Sequence, residues 1–306
     1  MLKKIQTPKK LLIFLLLLSV NTAYAQFTPV NTLDVKATYI PESNYKQREG
    51  STEDTKKSQK RIDLGYSFLI SDHVDTAAKK INRWTGMING SYTQLTEKSS
   101  PTDIIPNRLL STQLGVSYFH SMNKKWSMVN ILSTGINSDL KKIDYHDLYI
   151  TGGVLFINNY SPDFQFGLGG FIVNALNAPI LLPGIVIHFQ TNGKFKFNVD
   201  LPTEISTAYQ TSKNMELKLA FRLRSMSYDT ENTVDPKKRY LNYTEFPIGL
   251  ENKWKSKHFD FVIGGGYVLA RNFVFKEAGL KNVFKKEPIN KLGGNVFINT
   301  SIRYRL

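Results

Sequence analysis

Apolar and polar residues alternate along most of this chain. Met215, Leu217, Leu219, Phe221 and Leu223 interleave with Glu216, Lys218, Ala220, Arg222 and Arg224. Ile62, Leu64, Tyr66, Phe68 and Ile70 share one side of their run, with Asp63, Gly65 and Ser67 on the other. Phe195, Phe197 and Val199 repeat the theme against Lys194, Lys196, Asn198 and Asp200, as do Phe259, Phe261 and Ile263 against Asp260. Successive side chains on a strand point to opposite faces, so each segment has one apolar side and one polar or small side. A helical recurrence at i, i+3, i+4 and i+7 is not sustained over any useful window. The pattern predicts an all-β chain with strands at 33–40, 60–70, 83–95, 108–119, 125–136, 146–157, 163–173, 182–190, 194–200, 203–210, 214–224, 240–250, 257–270 and 292–306.

Strand length narrows the fold class. Most of these segments exceed the five or six residues common in globular sheets and suit a tilted bilayer crossing, which needs about 9–11. The connections fit as well. If the first strand runs outward, the outer connections 41–59, 96–107, 137–145, 174–181, 225–239 and 271–291 are long, and most turns at the other end are short. The turn at 71–82 is too long for this scheme. The link at 201–202 is so tight that its flanking strands could be one bent strand. The expected architecture is a closed antiparallel transmembrane β-barrel of about 14 strands, with 12 as the alternative. The segment 41–61 is polar, charged and without apolar period, which predicts a mobile surface loop.

The N-terminus adds a compartment. Lys3, Lys4, Lys9 and Lys10 precede an apolar run from Leu11 to Val20, and Ala23-Tyr24-Ala25 offers small residues at a cleavage site. These are the parts of a secretory signal peptide, here 1–25, leaving 26–306 as the barrel domain. The apolar run is too short to span a bilayer as a helix. Lys and Arg number 40 against 25 acidic residues, and four of those lysines lie in the leader. There is no cysteine, which excludes disulfides, thiolate metal sites, a cysteine nucleophile and a lipidated N-terminal cysteine. The mean hydropathy of −0.27 is no obstacle, because alternation hides a barrel strand from a hydropathy window.

The final strand is the most specific feature. Ile298, Thr300, Ile302, Tyr304 and Leu306 occupy alternate positions, with Asn299, Ser301, Arg303 and Arg305 between them. This resembles the C-terminal assembly signal of bacterial outer-membrane barrels: a terminal hydrophobe, an aromatic two residues earlier, then alternate apolar positions. Leu306 departs from the terminal Phe that such signals favour. With the Lys- and Asn-rich composition, the chain resembles the uncharacterised outer-membrane β-barrel proteins of Bacteroidota-type bacteria. The resemblance implies the cell outer membrane as the location, with the barrel-assembly machinery, outer-membrane lipid and lipopolysaccharide as partners. It implies no activity.

Local motifs for chemistry are sparse. None of the five histidines has a zinc-site spacing, and there is no G-x-S-x-G elbow. His146 lies near Asp144 and Asp147, but a solvated loop before a strand accounts for it, and neither a metal nor another cofactor is expected. The runs Gly152-Gly153, Gly169-Gly170 and Gly264-Gly265-Gly266 lie inside strands without a following helix, so they read as room in the lumen and not as phosphate loops. Trp84, Trp126 and Trp254 sit near strand ends, where an interfacial aromatic girdle belongs. Basic clusters in the connections face outward, which suits lipopolysaccharide phosphates or plain solvation. Nucleic acid is not an expected partner of an exported barrel.

The non-apolar strand face should line the lumen. Its candidates are Lys196, Glu216, Lys218, Arg222, Arg224, Asp260, Arg303 and Arg305, with Asp63 and Asp200. A basic excess there would favour anionic solutes, whereas charges paired across the interior would close it. Three readings follow: a passive pore or carrier for small solutes, anionic ones if the basic excess lines an open lumen; a non-conducting structural or surface-interaction barrel; and, least favoured, an outer-membrane hydrolase built from distant strands.

Overall fold

The computed structural model describes residues 31–46, 56–75, 80–97, 105–174, 179–191, 193–231, 235–283 and 285–306. The predicted leader, 1–25, lies outside them. The alternating segments become sixteen strands: β1 (Thr32–Lys46), β2 (Lys56–Asp75), β3 (Lys80–Glu97), β4 (Arg108–Ser121), β5 (Trp126–Ser138), β6 (Leu148–Ser161), β7 (Phe164–Val173), β8 (Ile180–Thr191), β9 (Phe195–Leu201), β10 (Glu204–Ser212), β11 (Met215–Arg222), β12 (Arg224–Asp229), β13 (Tyr240–Lys255), β14 (Phe259–Lys276), β15 (Asn290–Leu292) and β16 (Asn295–Arg305). Neighbours in sequence pair antiparallel, and β1 pairs with β16, from Thr32 opposite Arg305 to Tyr39 opposite Ile298, so the sheet closes on itself. Closure leaves the wall without an edge.

Two pairs of strands are interrupted single staves. β11 and β12 both pair with β13 and meet at Leu223, while β15 and β16 both pair with β14 and β1. The described strands therefore make a closed antiparallel barrel of 14 staves. The alternative of 12 falls away, because β9 and β10 pair antiparallel through Glu204 opposite Asp200. They form a hairpin and are not one bent strand. The tight β8–β9 turn carries Gly193 at φ 82°, a left-handed conformation that glycine adopts without a Cβ clash. Asn192 beside it lies outside the described residues.

The outer surface is apolar. Leu64, Leu114, Leu132, Leu168, Leu181, Ile263, Leu269 and Ile298 are each about half exposed or more, spread around the ring. Water does not tolerate such a belt on a monomer, and hydrocarbon does. At the end where β1 begins and β16 ends, aromatic rings gather beside the short turns: Trp84 stacks on Tyr118, Trp254 on Phe261, Phe259 lies against Tyr304, and Trp126 meets Phe166 edge-on. Rings of this kind settle at headgroup depth.

Wall height is uneven. β2 has 20 residues, β3 and β14 have 18 each, and β13 has 16, whereas β9 has 7 and β11 has 8. This corrects four expected connections. Residues 41–46 and 56–61 are strand, not mobile loop, and much of 71–82 is strand too. Likewise Arg224–Asp229 and the stretch up to Lys276 extend the wall into the expected loops 225–239 and 271–291. The apolar period fades at 56–61 because the inward side chains there meet polar partners: Lys57, Gln59 and Arg61 are buried, while Lys56 and Lys60 are exposed on the other face. Above the short staves the tall ones lean together. Asp229 at the end of β12 pairs with Ser138 at the end of β5, with five staves lying between them.

Candidate functional site

The interior holds a cavity of about 660 Å³ to which nearly every stave contributes. Its lining divides into two arcs. From β9 round to β2 the inward positions are mostly charged. From β3 to β8 they are mostly apolar, glycine or uncharged polar, with His188 on β8 meeting Asp200 of the charged arc at 2.8 Å.

The charged arc is a ladder of ion pairs. Near the start of β1 and the end of β16, Asp260 takes Arg305 and Lys253 (3.1 Å), and Asp34 takes Arg303 (2.6 Å). Glu216 is shared by Lys255 (2.7 Å) and Lys196 (3.0 Å). In the middle, Arg222 donates to both Glu204 and Glu251 at 2.7 Å, and Lys218 reaches Glu204 at 2.6 Å. Toward the loop end, Arg224 donates to Asp63 at 2.6 Å, and Arg61 lies 2.7 Å from Glu245. Gln59 and Tyr243 also donate to Glu245, and Arg271 reaches Ser43 and Gln59. Cross-strand register accounts for several of these contacts: Glu204 lies opposite Arg222, and Lys218 opposite Glu251. Charges taken out of water persist only when paired and hydrogen-bonded, and these are.

The apolar arc is a packed cluster of Met87, Val129, Ile131, Leu155, Ile157, Phe171, Val173, Leu182 and Val186. Phe171 lies flat over two glycines: a Cβ on Gly153 would stand 2.1 Å from its ring and one on Gly184 2.7 Å. Across the barrel, Phe297 covers Gly249 in the same manner, at 2.6 Å. The glycines let large rings hug the wall and leave space at the axis.

The loop end is capped. Tyr45, Leu95, Ile105, Leu109, Met226, Tyr228, Leu241, Tyr243, Phe273 and Leu292 form a second buried apolar cluster. Leu241 and Tyr243 share the inward face of Glu245, so this cluster sits inside the mouth above the ladder. A polar latch crosses over it. The connection after β5 folds into a short turn in which Asp144 accepts from the His146 amide (2.9 Å) and Asp147 accepts from the Asp144 amide (2.7 Å). Arg239 grips Asp229 and faces Asp144 at 3.6 Å, and the Glu231 amide donates to Asp139. The His146 amide holds the Asp144 carboxyl below the usual carboxylate range, whereas burial raises Asp147. Carboxylate oxygens of Asp144, Asp147 and Asp229 approach within 4.8 Å, but the Arg239 guanidinium already faces two of them and supplies the balancing charge. The solvated-loop expectation for Asp147 is corrected: its side chain is buried.

Of the lumen candidates, Glu216, Lys218, Arg222, Arg224, Asp260 and Arg303 line the cavity. Lys196 and Arg305 sit behind it on Glu216 and Asp260. Sequence reasoning missed Arg61, Glu204, Glu245, Glu251 and Lys36, whose alternation was the available signal. Among the described residues the cavity is lined by seven Lys and Arg and eight Asp and Glu, so the expected basic excess does not extend to it. Ile298, Ile302 and Leu306 point outward from β16 and are about half exposed or more, and Tyr304 packs on Phe259.

A sequence profile described as a domain of unknown function, DUF6268, matches residues 21–305. The chain belongs to this family. No curated protein matches this DUF6268 member in sequence. Its fold is similar to an outer membrane channel, COG4313, from Pseudomonas putida F1 (8% identity, 93% of this chain and 99% of that one, TM-score 0.45). It is also similar to the toluene transporter TodX of P. putida (7%, 92% and 91%, 0.42) and to LpxR from Salmonella typhimurium (8%, 90% and 100%, 0.35). None of these likenesses bears on what this DUF6268 chain carries.

Proposed function

We propose that this protein is an outer-membrane carrier for small solutes, with its resting pathway shut at the loop end. One observation carries the reading: a cavity of about 660 Å³ enclosed by a closed, lipid-facing wall, a volume suited to a small molecule. The apolar cluster in the mouth sets the resting state, since a hydrophobic constriction gates by excluding water. Balanced cavity charge argues against a filter selective for anions, so the anionic reading is dropped. The leader, the outward row of Ile298, Ile302, Tyr304 and Leu306, and the outward lysines support export, assembly into the outer membrane and contact with lipopolysaccharide.

The test is planar-bilayer recording of the full mature barrel beside a Leu241→Ser/Phe273→Ser variant, checked for folding by heat-modifiable gel migration. The wild type is expected to be mostly silent, and the variant to give discrete conductance steps. Silence from both, with the variant folded and inserted, overturns the carrier and leaves a scaffold. That second reading draws on the same fact, because an interior so fully paired is also what a non-conducting barrel has.

A further inference from the structure

The two arcs of the cavity face each other. β5 and β13 are seven staves apart in a ring of 14, so Ile131 and Glu251 stand on opposed walls of one chamber. A ligand here meets both surfaces at once. On one side are Met87, Ile131 and Phe171, all buried members of the apolar cluster and all lining the cavity. On the other are Glu204, Lys218, Arg222 and Glu251, held within 2.6–2.8 Å of one another.

Resting on the carrier reading, we propose that the chamber selects an uncharged amphipath: a small molecule with an apolar body and a hydroxyl- or amide-bearing end. A wholly polar solute such as a free sugar would set some of its hydroxyls against Met87, Ile131 and Phe171, which offer no hydrogen bond, and only the rest could reach polar neighbours on that wall such as Asn89, Gln113 and Ser117. A pure hydrocarbon would strip water from Arg222 and Glu251 and return nothing. An ion fares no better. The lining is balanced in charge, and Arg222 and Lys218 are already engaged with carboxylates, so a ligand anion must displace Glu204 or Glu251 to gain a partner. A hydroxyl needs no displacement, since the outer lone pairs of those carboxylates and the amide of Asn299, itself at 3.4 Å from Glu251, can share hydrogen bonds with it. The flattened Phe171 leaves a smooth apolar wall for the body.

The test uses the full mature barrel in phospholipid nanodiscs, with empty discs subtracted. Saturation-transfer NMR titrations compare hexyl β-glucoside with glucose, hexyl sulfate and hexyltrimethylammonium. The glucoside is expected to bind saturably and at least tenfold more tightly than each of the other three. Met87→Gln should weaken it about tenfold, and Glu251→Gln less than threefold. Folding is checked by heat-modifiable migration, and Met87→Leu serves as an apolar control that retains binding. Glucose binding as well as the glucoside, hexyl sulfate binding better, or no signal above empty discs each overturns the proposal. Glucoside binding without conductance in either the wild type or the mouth variant overturns the carrier alone. Conductance without preference for the glucoside overturns the ligand class alone.

Discussion

The charged arc and the apolar arc share one closed sheet and solve opposite problems. On β9 to β2, below the apolar cap, the outer face of each strand is apolar and the inner face mostly charged, so sequence alternation and side-chain placement coincide there. On β5 to β8, both faces are apolar: Leu132, Phe156, Leu168 and Leu181 are exposed to lipid while Ile131, Leu155, Phe171 and Leu182 are buried inside. The first arc holds itself by specific, directional pairs, and the second by non-directional packing eased by glycine. The difference teaches where this barrel should be brittle. Loss of one member of a buried pair strands its partner, whereas loss of a methyl group leaves only a gap.

The hardest break is therefore Glu245→Ala. Its carboxylate is 1% exposed and takes Arg61, Gln59 and Tyr243, while Arg61 itself is only 7% exposed. The variant would leave a buried guanidinium with Asp63 alone at 3.2 Å. Removing one partner of such a pair costs about 3–5 kcal/mol. Urea titration of the detergent-solubilised barrel, read by the shift from the heat-modifiable to the unfolded gel band, should show a large fall in midpoint. Glu245→Gln, which keeps the acceptor, should recover part of it. A change below about 1 kcal/mol would mean that water reaches this site freely.

The next break falls on the other arc. Leu155 is fully buried against Phe171 and Leu182, so Leu155→Ala should cost about 2–5 kcal/mol. Because the adjoining space belongs to a cavity, the lower half of that range is expected. Leu155→Met, which conserves volume, should cost less than about 1.5 kcal/mol by the same titration. Equal losses for Ala and Met would show that shape rather than volume governs this wall.

Legibility in the sequence followed the same division. Strands 214–224 and 257–270 were readable because Leu219 and Ile263 face lipid while Lys218 and Asp260 face inward, giving a clean period of two. The segments 146–157, 163–173 and 182–190 had no such period. Ile185, Val186 and Ile187 follow one another because both sides of β8 are apolar, so alternation marked these strands less sharply. That run was also the overlooked sign of an apolar lumen wall. At 41–61 the error went the other way. Gln59 and Arg61 look like loop residues until Glu245, 184 positions from Arg61, supplies their partner. No local pattern encodes a contact at that separation.

The finest comparison lies within the charged arc itself. Asp34 and Arg303 pair at 2.6 Å, as closely as Arg61 and Glu245, yet they are 34% and 30% exposed. Water solvates both partners before and after the pair breaks, so Coulomb attraction is weak and the side-chain ordering cost offsets it. Arg303→Ala should cost less than about 1 kcal/mol, and most of that should vanish in 1 M salt, where the Debye length is about 3 Å. The Glu245 penalty should survive the same salt, because ions do not enter a site that water hardly enters. Midpoints for both variants at low and high salt check this directly. If the two respond alike to salt, the ladder has one environment along its length and the dry loop end inferred from burial is wrong. If only Arg303→Ala responds, the charged arc grades from wet at the start of β1 to dry beneath the apolar cap.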